Sequence, residues 1–156
     1  MSSLSFSTAT VQLLSAADIE AVVEIERLSN SHPWTERNFH DALASGYLCL
    51  IARDHGAVIG FAVARMLGDE AELLLIAVTP EMRRQSVALL LWIELAERLQ
   101  ASGARTVHLE VRESNRPAQA FYRSRGFTQS GVRPKYYPNG AHESQREDAV
   151  LMKVSL

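Results

Sequence analysis

The sequence predicts an α/β or α+β domain built on a mixed sheet, and three observations carry that expectation. Stretches with period-two alternation interleave with stretches of helical periodicity along the chain. His55-Gly56 separates two apolar runs as a hairpin signal. The apolar run Leu73-Leu74-Leu75-Ile76-Ala77-Val78 passes through a short turn at Pro80 into the basic loop Arg83-Arg84-Gln85-Ser86-Val87-Ala88, which opens a long amphipathic helix.

Each element has a local reason. A first strand is expected over residues 11–14, then a helix over 16–28 whose stripe of Ile19, Val22 and Val23 has Glu26 as its polar edge. His32-Pro33-Trp34 breaks that helix, and Thr35 with Asn38 opens a second, short one through Leu43. Trp34 reads as a core anchor between the helices. Strands follow over 47–53 and 58–67. After the strand over 73–78, the third helix starts near Ser86, because Val87, Leu91, Leu95 and Leu99 repeat at one-turn spacing. Glu94 and Arg98 pair at i,i+4, and Gly103 ends it.

Thr106 to Arg112 alternates, with Val107, Leu109 and Val111 on one face and His108, Glu110 and Arg112 on the other. Pro117 marks the first turn of a fourth helix that carries Ala118, Phe121, Tyr122 and Arg125 and stops at Gly126. Ala118 and Tyr122 share a face, one turn apart. The last strands are expected over 128–133 and 149–154. No internal repeat or low-complexity linker interrupts the series.

Composition narrows the class. The 156 residues, 47% of them hydrophobic, suffice for one full core. Residues 1–9 are expected as a flexible N-terminus ahead of a single domain over 10–156. With 16 basic and 18 acidic residues, the balance argues against nucleic acid as a direct partner. No apolar run approaches a membrane span and no signal peptide opens the chain, so a cytoplasmic protein with no membrane partner is expected. Cys49 is the single cysteine and reads as a buried structural residue. The five histidines lack metal-ligand spacing, and no Gly-x-Ser-x-Gly elbow is present, so neither a metal site nor a covalent nucleophile is expected.

The loop carries the chemistry. A strand ending in a basic loop on a helix N-terminus offers unpaired N–H groups and a positive dipole end to an anion, the outline of a pyrophosphate cradle. Neither the dinucleotide fingerprint nor a P-loop fits. The loop resembles the acetyl-CoA loop of the GCN5-related N-acetyltransferases, Arg/Gln-x-x-Gly-x-Gly/Ala, with Ser86 standing where that family has glycine.

Five further motifs, in order and at compatible spacing, narrow the resemblance to the branch that acetylates the N-terminal alanine of a ribosomal protein. They are His32-Pro33-Trp34-Thr35-Glu36, the segment from Leu109 through Asn115, Ala120-Phe121-Tyr122 with Gly126-Phe127, Tyr136-Tyr137-Pro138, and Arg146-Glu147-Asp148-Ala149. The resemblance implies a mostly antiparallel twisted sheet flanked by about four helices, with residues 10–156 as the N-acetyltransferase domain. It implies acetyl-CoA as donor co-substrate, no metal, and as partner the N-terminus of small-subunit ribosomal protein eighteen. It assigns the general base to Glu110 and the general acid to Tyr122. Cofactor contacts fall to Ile76, Ala77, Val78, Arg84, Gln85, Ser86, Val87, Ala88, Leu89 and Asn115. It also tilts Tyr136 and Tyr137 from packed turn residues toward substrate contacts.

Other acceptors, a small amine or a lysine side chain, stay open, as does a non-catalytic acyl-CoA-binding module. Oligomeric state is not readable, with a monomer favoured. Replacing Ser86 with glycine is expected to tighten cofactor binding, and to cost the ligand-free protein a few tenths to about 1 kcal/mol through added unfolded-state freedom.

Overall fold

The computed structural model describes residues 8–83, 86–138 and 145–156. The chain divides into two compact units, Met1–Arg65 with Leu73–Ser102 and Met66–Glu72 with Gly103–Leu156. The N-terminal segment expected to be flexible lies outside the described residues up to position 7, as do Arg84, Gln85 and His142.

In the first unit, β1 (Thr10–Leu13), β2 (Leu48–Asp54) and β3 (Ala57–Leu67) pair antiparallel in sequence order, followed by β4 (Glu70–Val78). His55 and Gly56 take φ of 48° and 81°, the two positive values that a tight hairpin with right-handed twist requires. β4 begins earlier than the apolar run suggests. Gly68 (φ 67°) closes the preceding turn, and exposed Glu70 and half-buried Glu72 alternate with buried Ala71 and Leu73, so the strand's first half is amphipathic.

Helix α1 (Ile19–Ser29) starts one turn later than expected, because residues Ala16–Asp18 form a 3-10 turn. Thr35 caps α2 (Glu36–Ala44) reciprocally: Asn38 N–H donates to its hydroxyl oxygen at 3.3 Å, and Thr35 N–H donates to Asn38 Oδ1 at 2.9 Å. The core of this unit joins Ile19, Val22 and Ile25 to Phe39, Ala42, Ile51, Phe61 and Val63. Trp34 anchors it as expected, edge-on to Phe39 with ring centroids 5.4 Å apart. Cys49 is buried there, and desolvation pushes its thiol up to about 11.

Glu26, read as the polar edge of the stripe, lies inside it. It is buried and accepts the Trp34 N–H at 2.9 Å, which fixes the chain's turn after α1. Burial raises its carboxyl above the ordinary range, against hydrogen bonds from Trp34 and Asn30 that favour the charge. Helix α3 (Val87–Ala101) buries Val87, Leu91, Leu95 and Leu99 as the spacing predicts. Glu94 pairs with Arg98 at 2.7 Å, and Gly103 turns the chain out at φ 100°.

The second unit holds β5 (Thr106–Arg112), α4 (Arg116–Ser124), β6 (Thr128–Tyr137) and β7 (Glu147–Ser155), with β7 antiparallel between β5 and β6. Val107, Leu109 and Val111 face its core, while His108, Glu110 and Arg112 are half-buried on the other face. Among the described residues, seven strands and four α-helices give the mostly antiparallel α/β fold that the resemblance implies.

Candidate active site

In the first unit the candidate residues gather where β4 ends and α3 begins. Alternation stops after Leu73: Leu74, Leu75, Ile76 and Ala77 are all half-buried, so the strand's C-terminal half keeps apolar surface open. Gly60 lets β3 approach it closely, since a Cβ there would lie 3.0 Å from the Ala77 carbonyl oxygen and 3.2 Å from Leu91 Cδ1. Past the strand, the Arg83 guanidinium donates to Val78 O and to Ser29 Oγ, each at 3.3 Å. The loop's first arginine is thereby tied to the ends of β4 and α1.

Ser86 is exposed and takes φ 65°, ψ 13°, the left-handed conformation that glycine adopts at no steric cost. Its hydroxyl makes no capping hydrogen bond. The first helical bond runs from Leu90 N–H to Ser86 O at 3.0 Å, so the N–H groups of Val87, Ala88 and Leu89 precede the ladder. Val87 is buried and Ala88 and Leu89 are half-buried. A backbone bent as a glycine would bend it, at the head of a 15-residue helix, fits an anionic pyrophosphate.

In the second unit, Glu110 on β5 is held from β6. Arg133 Nη1 donates to its Oε1 at 2.8 Å, and the charge of the same carboxylate raises the Tyr136 phenol above its ordinary value. Tyr137 lies in the electrostatic neighbourhood of both predicted catalytic groups. Burial, then the Glu110 charge, pushes its phenol up to about 12, and its own charge adds to the burial that raises Tyr122. The Tyr122 ring packs edge-on to Phe127 at 5.5 Å, on the helix that Asn115 caps by accepting Ala118 N–H at 3.2 Å. The Asn115 side-chain oxygen thus has a structural task at the head of α4.

Tyr136 and Tyr137 are strand residues and not turn residues. β6 runs four positions past Arg133 through an irregular segment in which Lys135 takes φ 50°. The sequence does not single out Gln119, and the pairing of Arg112 with Glu147, each read separately within a motif, has no local signal. Gln119 is buried on α4, while Arg112 and Glu147 meet at 3.2 Å across 35 residues of sequence. Glu147 Oε1 also accepts Ser114 N–H at 2.6 Å; hydrogen bonding from Ser114 is the first cause that lowers its carboxyl below the ordinary range. Arg112 in turn lies over the Tyr137 ring, 4.6 Å from its centroid. No group of three His, Cys, Asp or Glu among the described residues could hold a metal ion.

With this arrangement in place, the chain belongs to the Acetyltransferase (GNAT) family, whose sequence profile matches residues 19–127, across both units. It is 35% identical over 147 residues to the [ribosomal protein bS18]-alanine N-acetyltransferase of Escherichia coli K12, covering 94% of this chain and 97% of that relative. The crystal structure of the ribosomal-protein-S18-alanine N-acetyltransferase from Escherichia coli superposes with TM-score 0.86 at 34% identity, over 95% of this chain and 94% of that one. Ard1 from Thermoplasma volcanium gives 0.82 at 28% identity, over 95% of this chain and 97% of that one. No helix among the described residues is long and apolar enough to cross a membrane.

Proposed function

We propose that this chain transfers the acetyl group of acetyl-CoA to the α-amine of a protein N-terminus, with the N-terminal alanine of ribosomal protein bS18 as its acceptor. The observation that carries this reading is the 35% identity to the Escherichia coli enzyme of that specificity, spread over nearly the whole of both chains. The exchange takes place in the cytoplasm, on a monomer, without metal, nucleic acid or membrane.

The acceptor's chemistry sets what the residues do. An N-terminal amine has a pKa of about 8, so near neutral pH much of it is protonated and cannot attack. Glu110 takes that proton, directly or through a water. Acetyl-CoA supplies an activated thioester, which the neutral amine attacks directly in a ternary complex. A backbone N–H at Ala77 or Val78 stabilises the charge that develops on the carbonyl oxygen. Tyr122 delivers a proton to the departing sulfur. Ser86, Val87, Ala88 and Leu89, with Arg84, Gln85 and Asn115, hold the donor, and Ile76 to Val78 line its acyl end. Tyr136 and Tyr137 contact the acceptor peptide.

Initial rates with a peptide beginning in alanine, the same peptide with a blocked terminus and a free lysine, and a small polyamine test this reading. The first is expected to react fastest by a wide margin. A preference for either of the others replaces the acceptor assignment.

A further inference from the structure

We propose that Arg133 is a positioning residue for the acetyl transfer, holding one oxygen of the Glu110 carboxylate so that the other is presented to the acceptor; this rests on Glu110 acting as the base. The contact is direct, from Arg133 Nη1 to Glu110 Oε1 at 2.8 Å. The guanidinium also lies over the Tyr136 ring, 4.4 Å from its centroid. The cation that holds Glu110 is therefore itself seated on an aromatic face of its own strand.

The backbone of β6 is shaped for this. In a regular strand, residues 133 and 136 point to opposite faces. Here Arg133 lies opposite Ala149 and Tyr137 opposite Glu147, so four steps along β6 pass against two along β7. Lys135 takes the left-handed conformation at φ 50°, and its N–H donates to Asp148 Oδ1 at 2.8 Å. This double insertion stacks the Tyr136 ring on the guanidinium that meets Glu110. A left-handed lysine is a strained choice, and bulges of this kind re-aim side chains at sheet edges.

The chemistry gains from a fixed carboxylate. A free glutamate side chain loses rotamer entropy when it is ordered, and a base that is already oriented does not lose it in the transition state. One donor atom of Arg133 engages Oε1, and a carboxylate held by one oxygen can take the acceptor's proton on the other.

The test compares Arg133→Ala, Arg133→Lys, Glu110→Gln and the Arg133→Ala/Glu110→Gln double variant with the parent, using acetyl-CoA and an alanine-terminated peptide. Arg133→Ala is expected to lower kcat by about tenfold with an unchanged KM for acetyl-CoA. Arg133→Lys should lose less, millimolar guanidinium ion should restore part of the Ala variant's rate, and the double variant should be no slower than Glu110→Gln alone. Thermal unfolding of each variant shows whether it is folded, and the guanidinium rescue separates positioning from structural loss. A turnover of Arg133→Ala equal to or above the parent overturns the inference while leaving the base in place, as does a loss that persists in full in the Glu110→Gln background. A Glu110→Gln variant at the parent's rate instead removes the base, and the role of Arg133 with it.

Discussion

Gln119, buried on α4, donates its side-chain amide to the carbonyl oxygen of Arg112 at 3.0 Å, and to that of Glu113 at 2.9 Å. One side chain thus ties the helix of Tyr122 to the end of the strand of Glu110. Gln119→Met keeps the volume and removes both donors, so the Glu113 carbonyl oxygen loses its amide bond while Arg112 O keeps the Asn115 N–H at 3.0 Å. A loss of about 1 to 3 kcal/mol is expected in chemical denaturation, with a fall in turnover. An unchanged midpoint would show that water replaces the amide at no cost.

Ser86→Gly is expected to stabilise the ligand-free protein, by about 1 kcal/mol. This reverses the sign that the sequence suggests. Glycine's freedom in the unfolded chain opposes folding, but the observed φ of 65° strains a serine and not a glycine, and the relief of that strain outweighs the entropy term. Acetyl-CoA should also bind more tightly, since no Cβ then stands at the cradle. Thermal unfolding without ligand and calorimetric titration measure the two effects separately; a lower midpoint would rule out the strain, and weaker binding would make the hydroxyl a ligand.

Much of this was legible because the signals are local. Spacing alone locates α3, the alternation of β5, the cap of α2 and the start and stop of α4, for each depends on residues within a turn or two of one another. The left-handed Ser86 is foreshadowed only by the family glycine it replaces. The bulge in β6 has no such marker: Lys135 is not a residue that signals positive φ, and its tie to Asp148 crosses 13 residues. The partners of Glu110 stay hidden for the same reason, Arg133 being 23 residues away. Glu26 misleads because a carboxylate at the edge of an apolar stripe is ordinarily solvated, and here it serves the Trp34 backbone.

The burial of Glu26 predicts a pH dependence. Its folded-state pKa is raised above the ordinary 4.5, so its favourable contribution is present at acid pH and is lost as pH rises through the folded value. Glu26→Gln retains an acceptor for Trp34 and does not titrate. Its stability relative to the parent should therefore improve between acid and neutral pH. Denaturation of both proteins across that range checks this, and a constant difference would mean that the carboxylate titrates alike folded and unfolded.

Tyr122→Phe keeps the ring packing against Phe127 and removes only the hydroxyl. A fall of about 10²-fold or more in turnover is expected, with little change in acetyl-CoA binding or stability. Parallel loss of binding or folding would indicate a structural tyrosine.

Mass-spectrometric location of the acetyl group on intact bS18 after incubation with acetyl-CoA is the most direct measurement of the central claim. A single acetyl group on the α-amine of its N-terminal alanine, absent when Glu110→Gln replaces the parent enzyme, is the predicted result. Unmodified bS18, or acetyl groups on lysine side chains with the terminus free, would contradict it.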